Sequence, residues 1–191
     1  VISFSLFGFS KKIVKRSGAK INNLIICSGP FGYSAAGLCI LLKNMKSSKI
    51  FQAKAKKAIF RPRCQLNFGL KNKNYFSSSM DSSDGLSTTL EELARQSKRK
   101  FIITNVPAKA DIFDFAANNR LNAMNLIFNG GEEYEIIATV NPSNLTKIKK
   151  YAKIHHIQLY EIGYVAKGNG VYLQKNGRFI KIKDKGWHHF Q

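Results

Sequence analysis

Acidic residues are scarce in this chain. Eleven Asp and Glu stand against 31 Lys and Arg in 191 residues, a formal net charge of +20. Such a field favours anionic partners: nucleic acid, nucleotides or phosphorylated metabolites. The lysines are scattered rather than gathered in one block, and Asn, Ile, Phe and Tyr are also abundant, so a compositional bias is an equal explanation. Cysteine is sparse too. Cys27, Cys39 and Cys64 form no Cys-x-x-Cys pair, which excludes a disulfide scaffold and a zinc ribbon. They read as reduced, mostly buried thiols of a cytoplasmic protein. No run of about 18 apolar residues occurs, so no membrane-spanning helix is expected. The apolar start, residues 1–9, lacks a basic leader and a small-residue cleavage site, which argues against a signal peptide. The chain also lacks a starting Met, so it is expected not to begin where its gene begins. A hydrophobic share of 44% over this length is enough for a sizeable core and excludes disorder of the whole chain.

Residues 2–9 alternate and predict a strand. A basic connection over 11–23 leads to a short apolar strand at 24–27 and a tight turn, Ser28-Gly29-Pro30-Phe31-Gly32. A helix is predicted over 34–45, with Ala35, Ala36 and Gly37 small enough for close backbone packing. A second over 49–60 has Ile50, Ala53, Lys57 and Phe60 at helical spacing and ends at Arg61-Pro62-Arg63. A short helix is predicted at 66–75, a Ser/Asp/Gly-rich loop at 77–87, and an amphipathic helix at 86–96 with Leu86, Leu90, Leu93 and Ala94 inward. A strand at 101–106, helices at 111–118 and 120–128, a strand at 134–140 and a Pro-led helix at 142–154 follow. The last strands are 159–165, 171–174 and 179–183, with Asn176-Gly177 joining the final two as a hairpin. Intermixed helices and strands predict an α+β fold, a mixed β-sheet covered by helices.

In so basic a chain the positions of the acids are informative. Five of the eleven fall in two short glycine-flanked motifs: Asp81 and Asp84 in Asp81-Ser82-Ser83-Asp84-Gly85-Leu86, and Glu132, Glu133 and Glu135 in Gly130-Gly131-Glu132-Glu133-Tyr134-Glu135. The first motif precedes a predicted helix, where Asp and Ser serve as caps. Two aspartates three apart also suit a hard cation such as magnesium, which takes one or two carboxylates plus phosphate oxygens and water. The second motif is either a plain turn into a strand or a place where backbone approaches a ligand closely. Its Glu133 and Glu135 share a strand face. Gly29 and Gly32 before a helix are similar to a phosphate loop, but no Gly-Lys-Ser/Thr follows, so a Walker A loop is excluded. His155-His156 reads as surface, and His188-His189 has no ligand partner in sequence. No Ser/His/Asp or Cys/His pattern favours nucleophilic catalysis. Trp187 either packs its aromatic tail on the domain or stacks on a heterocycle.

Together these motifs resemble the thiamine-monophosphate kinases, enzymes of the aminoimidazole-ribonucleotide-synthase-like superfamily. The resemblance runs in order through Arg16-Ser17-Gly18-Ala19, Ser28-Gly29 to Ser34-Ala35-Ala36-Gly37-Leu38, Arg61-Pro62, Asp81-x-Ser83-Asp84-Gly85-Leu86, Gly130-Gly131-Glu132-Glu133-Tyr134-Glu135 and Gly186-Trp187-His188-His189-Phe190. It implies ATP-dependent phosphorylation of thiamine monophosphate to thiamine diphosphate with magnesium. Carried over by position, Asp81 and Asp84 would bind the metal, Arg16 and Ser83 would contact ATP, and Glu132 and Trp187 would contact the thiamine phosphate. Phosphoryl transfer of this kind needs positioning and charge neutralisation, and no covalent nucleophile is obligatory. Tyr33 and Glu133 both stand where many members have Asp. The family's N-terminal domain carries further metal-binding aspartates and the dimer interface. Here residues 1–20 would be a remnant of that domain and 21–191 the C-terminal domain, so the chain is expected to be a fragment of an enzyme that is a homodimer in full. The alternatives are a basic nucleic-acid-binding module, which leaves the acidic motifs unexplained, and a non-catalytic remnant of the same superfamily.

Overall fold

The computed structural model describes residues 3–10 and 12–186. Its centre is a seven-stranded mixed sheet. In chain order the strands are β1 (Leu24–Cys27), β2 (Phe76–Ser82), β3 (Lys100–Ile103), β4 (Glu135–Val140), β5 (Tyr160–Ala166), β6 (Gly170–Lys175) and β7 (Arg178–Lys181). They lie side by side as β2-β4-β1-β5-β3-β6-β7. All pairs are antiparallel except β3 with β6. The helices are α1 (Tyr33–Lys43), α2 (Lys49–Phe60), α3 (Leu66–Asn72), α4 (Leu86–Ser97), α5 (Ala110–Asn118), α6 (Ala123–Asn129) and α7 (Leu145–Ile154). This is the α+β arrangement expected of the sequence. No helix among the described residues is long and apolar enough to cross a membrane.

Both faces of the sheet are covered, and for that reason the central β1 reads Leu-Ile-Ile-Cys without a polar break. Ile25 and Cys27 turn to a large core shared with α1, α2, α4, α5 and α6. Ile26, between them, turns to a smaller core with Phe68 of α3 and Ile148 of α7. On α4 the expected stripe is buried: Leu86, Leu90 and Leu93 are fully inside. Each such side chain contributes about 1.5–3 kcal/mol on burial. The small residues of α1 act as expected. A Cβ on Gly37 would stand 2.5 Å from the Ala55 carbonyl oxygen, so glycine lets α1 and α2 approach at that point.

Four expectations fail. Residues 3–10 form no strand, and Phe4, Leu6, Phe7 and Phe9 are exposed. A lone alternating segment has no neighbour to complete its ladder of hydrogen bonds. The segment read as a loop at 77–87 begins instead as β2. Its serines satisfy themselves inside the sheet: Ser78 Oγ lies 2.8 Å from Thr139 Oγ1, and Ser79 Oγ donates to the Ile137 carbonyl at 3.1 Å. Cross-strand hydroxyl pairs stabilise a strand that composition alone marks as a turn. On α2 the buried residues are Phe51 and Ala55, while Ile50 and Phe60 point to solvent. Phe51 stacks on Phe115 of α5 at 4.8 Å, an aromatic contact that periodicity does not reveal. The thiols are graded rather than mostly hidden: Cys27 is buried, Cys39 half-buried and Cys64 exposed.

Candidate functional site

The two acidic motifs meet. Strand β2 carries Asp81, and the chain then turns through Ser83 and Asp84 to Gly85 at the start of α4. Gly85 has φ 118°, and no side chain caps the helix there, so the capping role open to Asp84 is not the one it takes. Residues 130–134 lie against this turn. Glu132 N donates to the Ser83 carbonyl at 2.7 Å and Tyr134 N to the Ser82 carbonyl at 3.0 Å. A Cβ on Gly131 would stand 2.7 Å from Ser83 O, so the second glycine of the pair is needed for this contact. Glu132 and Tyr134 both take left-handed backbone, φ 67° and 54°, an uncommon state for residues with side chains. The Tyr134 hydroxyl donates to Glu132 Oε2 at 2.6 Å. That bond, some burial, and the charges of Glu132, Asp81 and Asp84 raise the Tyr134 phenol above its ordinary pKa.

A cleft of about 670 Å³ opens here. Ser83, Asp84, Glu132, Gly131, Lys185 and Ser34 are among its lining residues. Asp81 stands exposed on β2 beside it. Neither the Asp81 nor the Asp84 carboxylate has a side-chain hydrogen bond or ion pair among the described residues, where every ion pair involves another acid. No cluster of three or more metal-ligating side chains occurs among those residues. Two unpaired carboxylates do fit magnesium, whose remaining positions are filled by phosphate oxygens and water.

The other two glutamates serve the fold. The Glu133 carboxylate accepts from the Gly32 N–H (2.8 Å) and the Ser34 N–H (3.0 Å), and Ser34 Oγ is also 3.0 Å away. Burial raises its pKa against the lowering effect of these bonds. The glycine turn before α1, similar in sequence to a phosphate loop, is therefore occupied by an internal carboxylate. Glu135 accepts from Ser28 Oγ at 2.5 Å and from Gln65 Nε2 at 3.3 Å. Burial pushes it up to about 7. Its carboxylate fills the space that a side chain at Gly29 would take. Glu133 precedes β4, so it does not share a strand face with Glu135 as expected, although both border the same surface depression beside Pro30 and Tyr33.

Arg16 is elsewhere. It pairs with Glu92 of α4 at 3.6 Å. Six residues separate Glu92 from Leu86, about 9 Å along the helix. The described structure thus joins Ser83, Asp84 and Glu132 in one cleft and leaves Arg16 outside it. Trp187, His188 and His189 lie outside the described residues. Gly186, just before them, lines the cleft and packs on the Asp84 carbonyl and on Thr88 with no room for a Cβ. Thr88 Oγ1 donates to Asp184 Oδ1 at 2.7 Å, docking this stretch on α4. Sequence reasoning missed Thr88, Asp184 and the role of Tyr134. Tyr33 is the first residue of α1, with its hydroxyl donating to Asp111 at 2.6 Å and its ring against Phe51. His155 lies on the surface at the end of α7, against Tyr151.

The mixed sheet covered by helices, with this cleft at the end of β2, has the fold of aminoimidazole-ribonucleotide-synthase-like C-terminal domains. Over its whole length the chain is similar in sequence to thiamine-monophosphate kinases. It is 52% identical to thiamine-monophosphate kinase of Nitrosopumilus maritimus, across 100% of this chain and 61% of that protein. The corresponding kinase of Buchnera aphidicola from Acyrthosiphon pisum is 32% identical, across 99% of this chain and 60% of that protein. Among solved structures, AaThiL complexed with AMPPCP and TMP matches with a TM-score of 0.77 and 28% identity, covering 93% of this chain and 54% of that one. No family profile matches the chain. The chain spans about 60% of the length of the curated relatives it matches.

Proposed function

We propose that this chain is part of an ATP-dependent kinase that phosphorylates thiamine monophosphate to thiamine diphosphate. The γ-phosphoryl group of ATP passes to a phosphate oxygen of thiamine monophosphate, and ADP leaves. Asp81 and Asp84 hold magnesium, Ser83 meets ATP, and Glu132 meets the thiamine phosphate, with Trp187 as a further substrate contact. A magnesium ion held by Asp81 and Asp84 would supply charge neutralisation for the phosphates. Arg16 reaches ATP only if it leaves Glu92, a partly exposed pair of the kind that contributes little in water. In the full enzyme, residues 1–20 belong to a preceding domain, residues 21–191 form the C-terminal one, and two such chains pair in the cytoplasm. The supporting observation is that Ser83, Asp84 and Glu132 line one cleft, with Asp81 exposed on the strand that leads into it, in a chain with so few acids.

Calorimetric titration of Mg-ATP into the wild type and Asp84→Asn tests the site. Asp84→Asn is expected to bind about tenfold or more weakly, because a carboxylate is lost from a cation that takes only one or two. Equal affinity for the two proteins sinks the assignment.

A further inference from the structure

We propose that Tyr134 is the positioning residue for Glu132, its hydroxyl holding the Glu132 carboxylate in one orientation at the cleft toward the phosphorylated substrate. The inference rests on the reading of the cleft given above. It starts from a pair of left-handed residues. Glu132 at φ 67° and Tyr134 at φ 54° bring their two side chains together, where Tyr134 Oη donates to Glu132 Oε2 at 2.6 Å. Glu133, between them, is turned into the N-terminus of α1. The backbone cannot relax this arrangement easily, because both flanking N–H groups are bonded to β2 and its turn, at Ser83 O and Ser82 O.

Glu132 is exposed, and no cation pairs with it among the described residues. Without the phenol its carboxylate samples several rotamers. With the phenol one oxygen is held, and the remaining lone pairs of both oxygens stay open to a ligand. Holding the acceptor in place before binding removes an ordering cost from the binding step. A conformation this uncommon at two non-glycine positions one residue apart is consistent with a constraint set by the site rather than by packing.

Tyr134→Phe keeps the ring and removes the hydroxyl. Thiamine monophosphate is titrated by calorimetry, with Mg2+ and AMPPCP present, into the wild type, Tyr134→Phe, Glu132→Gln and the double variant. Thermal midpoints are recorded for all four. Tyr134→Phe is expected to weaken binding about threefold to tenfold, the range of one hydrogen bond to a partly exposed charge. In the Glu132→Gln background the same change should alter affinity by less than about twofold, since the two groups act as one unit. A merely structural tyrosine would weaken both backgrounds equally. Equal losses in the two backgrounds, or an unchanged affinity of Tyr134→Phe, overturn the positioning role and leave the reading of the cleft standing. A wild type that binds no thiamine monophosphate overturns that reading, and the inference with it.

Discussion

The Glu135 carboxyl shows what a single buried acid does to this molecule. It is raised from 4.5 to about 7 by burial, against the bonds from Ser28 and Gln65. The folded protein therefore holds a proton that the unfolded chain releases at lower pH. Stability from this group is fully present below about pH 4.5 and is lost as pH rises through 7. The full shift corresponds to roughly 3 kcal/mol as a ceiling. Glu133 is shifted in the same direction, also by burial. Glu135→Gln is neutral throughout and retains acceptor and donor atoms. Urea titrations from pH 4.5 to 7.5 should show a shallower decline for this variant than for the wild type. Parallel curves would mean that Glu135 is ionised throughout in the fold. At this scale the sequence marked the Gly-Gly-Glu motif but not its division of labour. Residues 132, 133 and 135 are chemically alike, and only their surroundings separate a cleft carboxylate from two that latch the 28–34 turn.

At the scale of elements, the informative case is β2. Its Phe-Ser-Ser-Ser-Met-Asp-Ser composition reads as a loop, and the strand exists because β4 accepts it. The Thr139 hydroxyl is central to that pairing, accepting from Ser78 N at 3.1 Å and meeting Ser78 Oγ. Both residues are fully buried. Thr139→Val conserves shape and leaves these groups without their partner, which should cost about 1–3 kcal/mol. Equilibrium denaturation measures it, and an unchanged midpoint would show that the β2–β4 pairing does not depend on this contact. Elements with strong local signals needed no such help. The helix at 86–97 follows from its leucine spacing, and the 170–181 hairpin from Asn176-Gly177, both with positive φ as that turn requires. The 49–60 helix was legible in extent but not in facing, because which side packs depends on Phe115 and Tyr33, distant in sequence.

For the whole molecule, charge dominates. A net +20 is set against four ion pairs among the described residues, all with partly exposed cations. Mutual repulsion in the folded state outweighs what such pairs contribute. Raising ionic strength from 0.01 M to 0.15 M shortens the screening length from about 30 Å to about 8 Å. The thermal midpoint is expected to rise by a few degrees. A fall on adding salt would mean that the ion pairs outweigh the repulsion. Calorimetry across a sodium chloride series decides between them.

By itself the sequence determined the order and type of most elements, the apolar faces of the strongest ones, and the two acidic motifs with their likeness to a kinase family. These are local properties, carried by spacing, turn residues and the rarity of acids in a basic chain. Tertiary structure alone decided that β2 is a strand, that the glycine turn at 28–32 is filled by Glu133 and Glu135, that Glu132 and Tyr134 are bonded partners, and that Arg16 sits apart from the cleft. Each of these depends on contacts between segments tens of residues apart, where burial and competing hydrogen-bond partners choose among conformations that the local sequence leaves equally open.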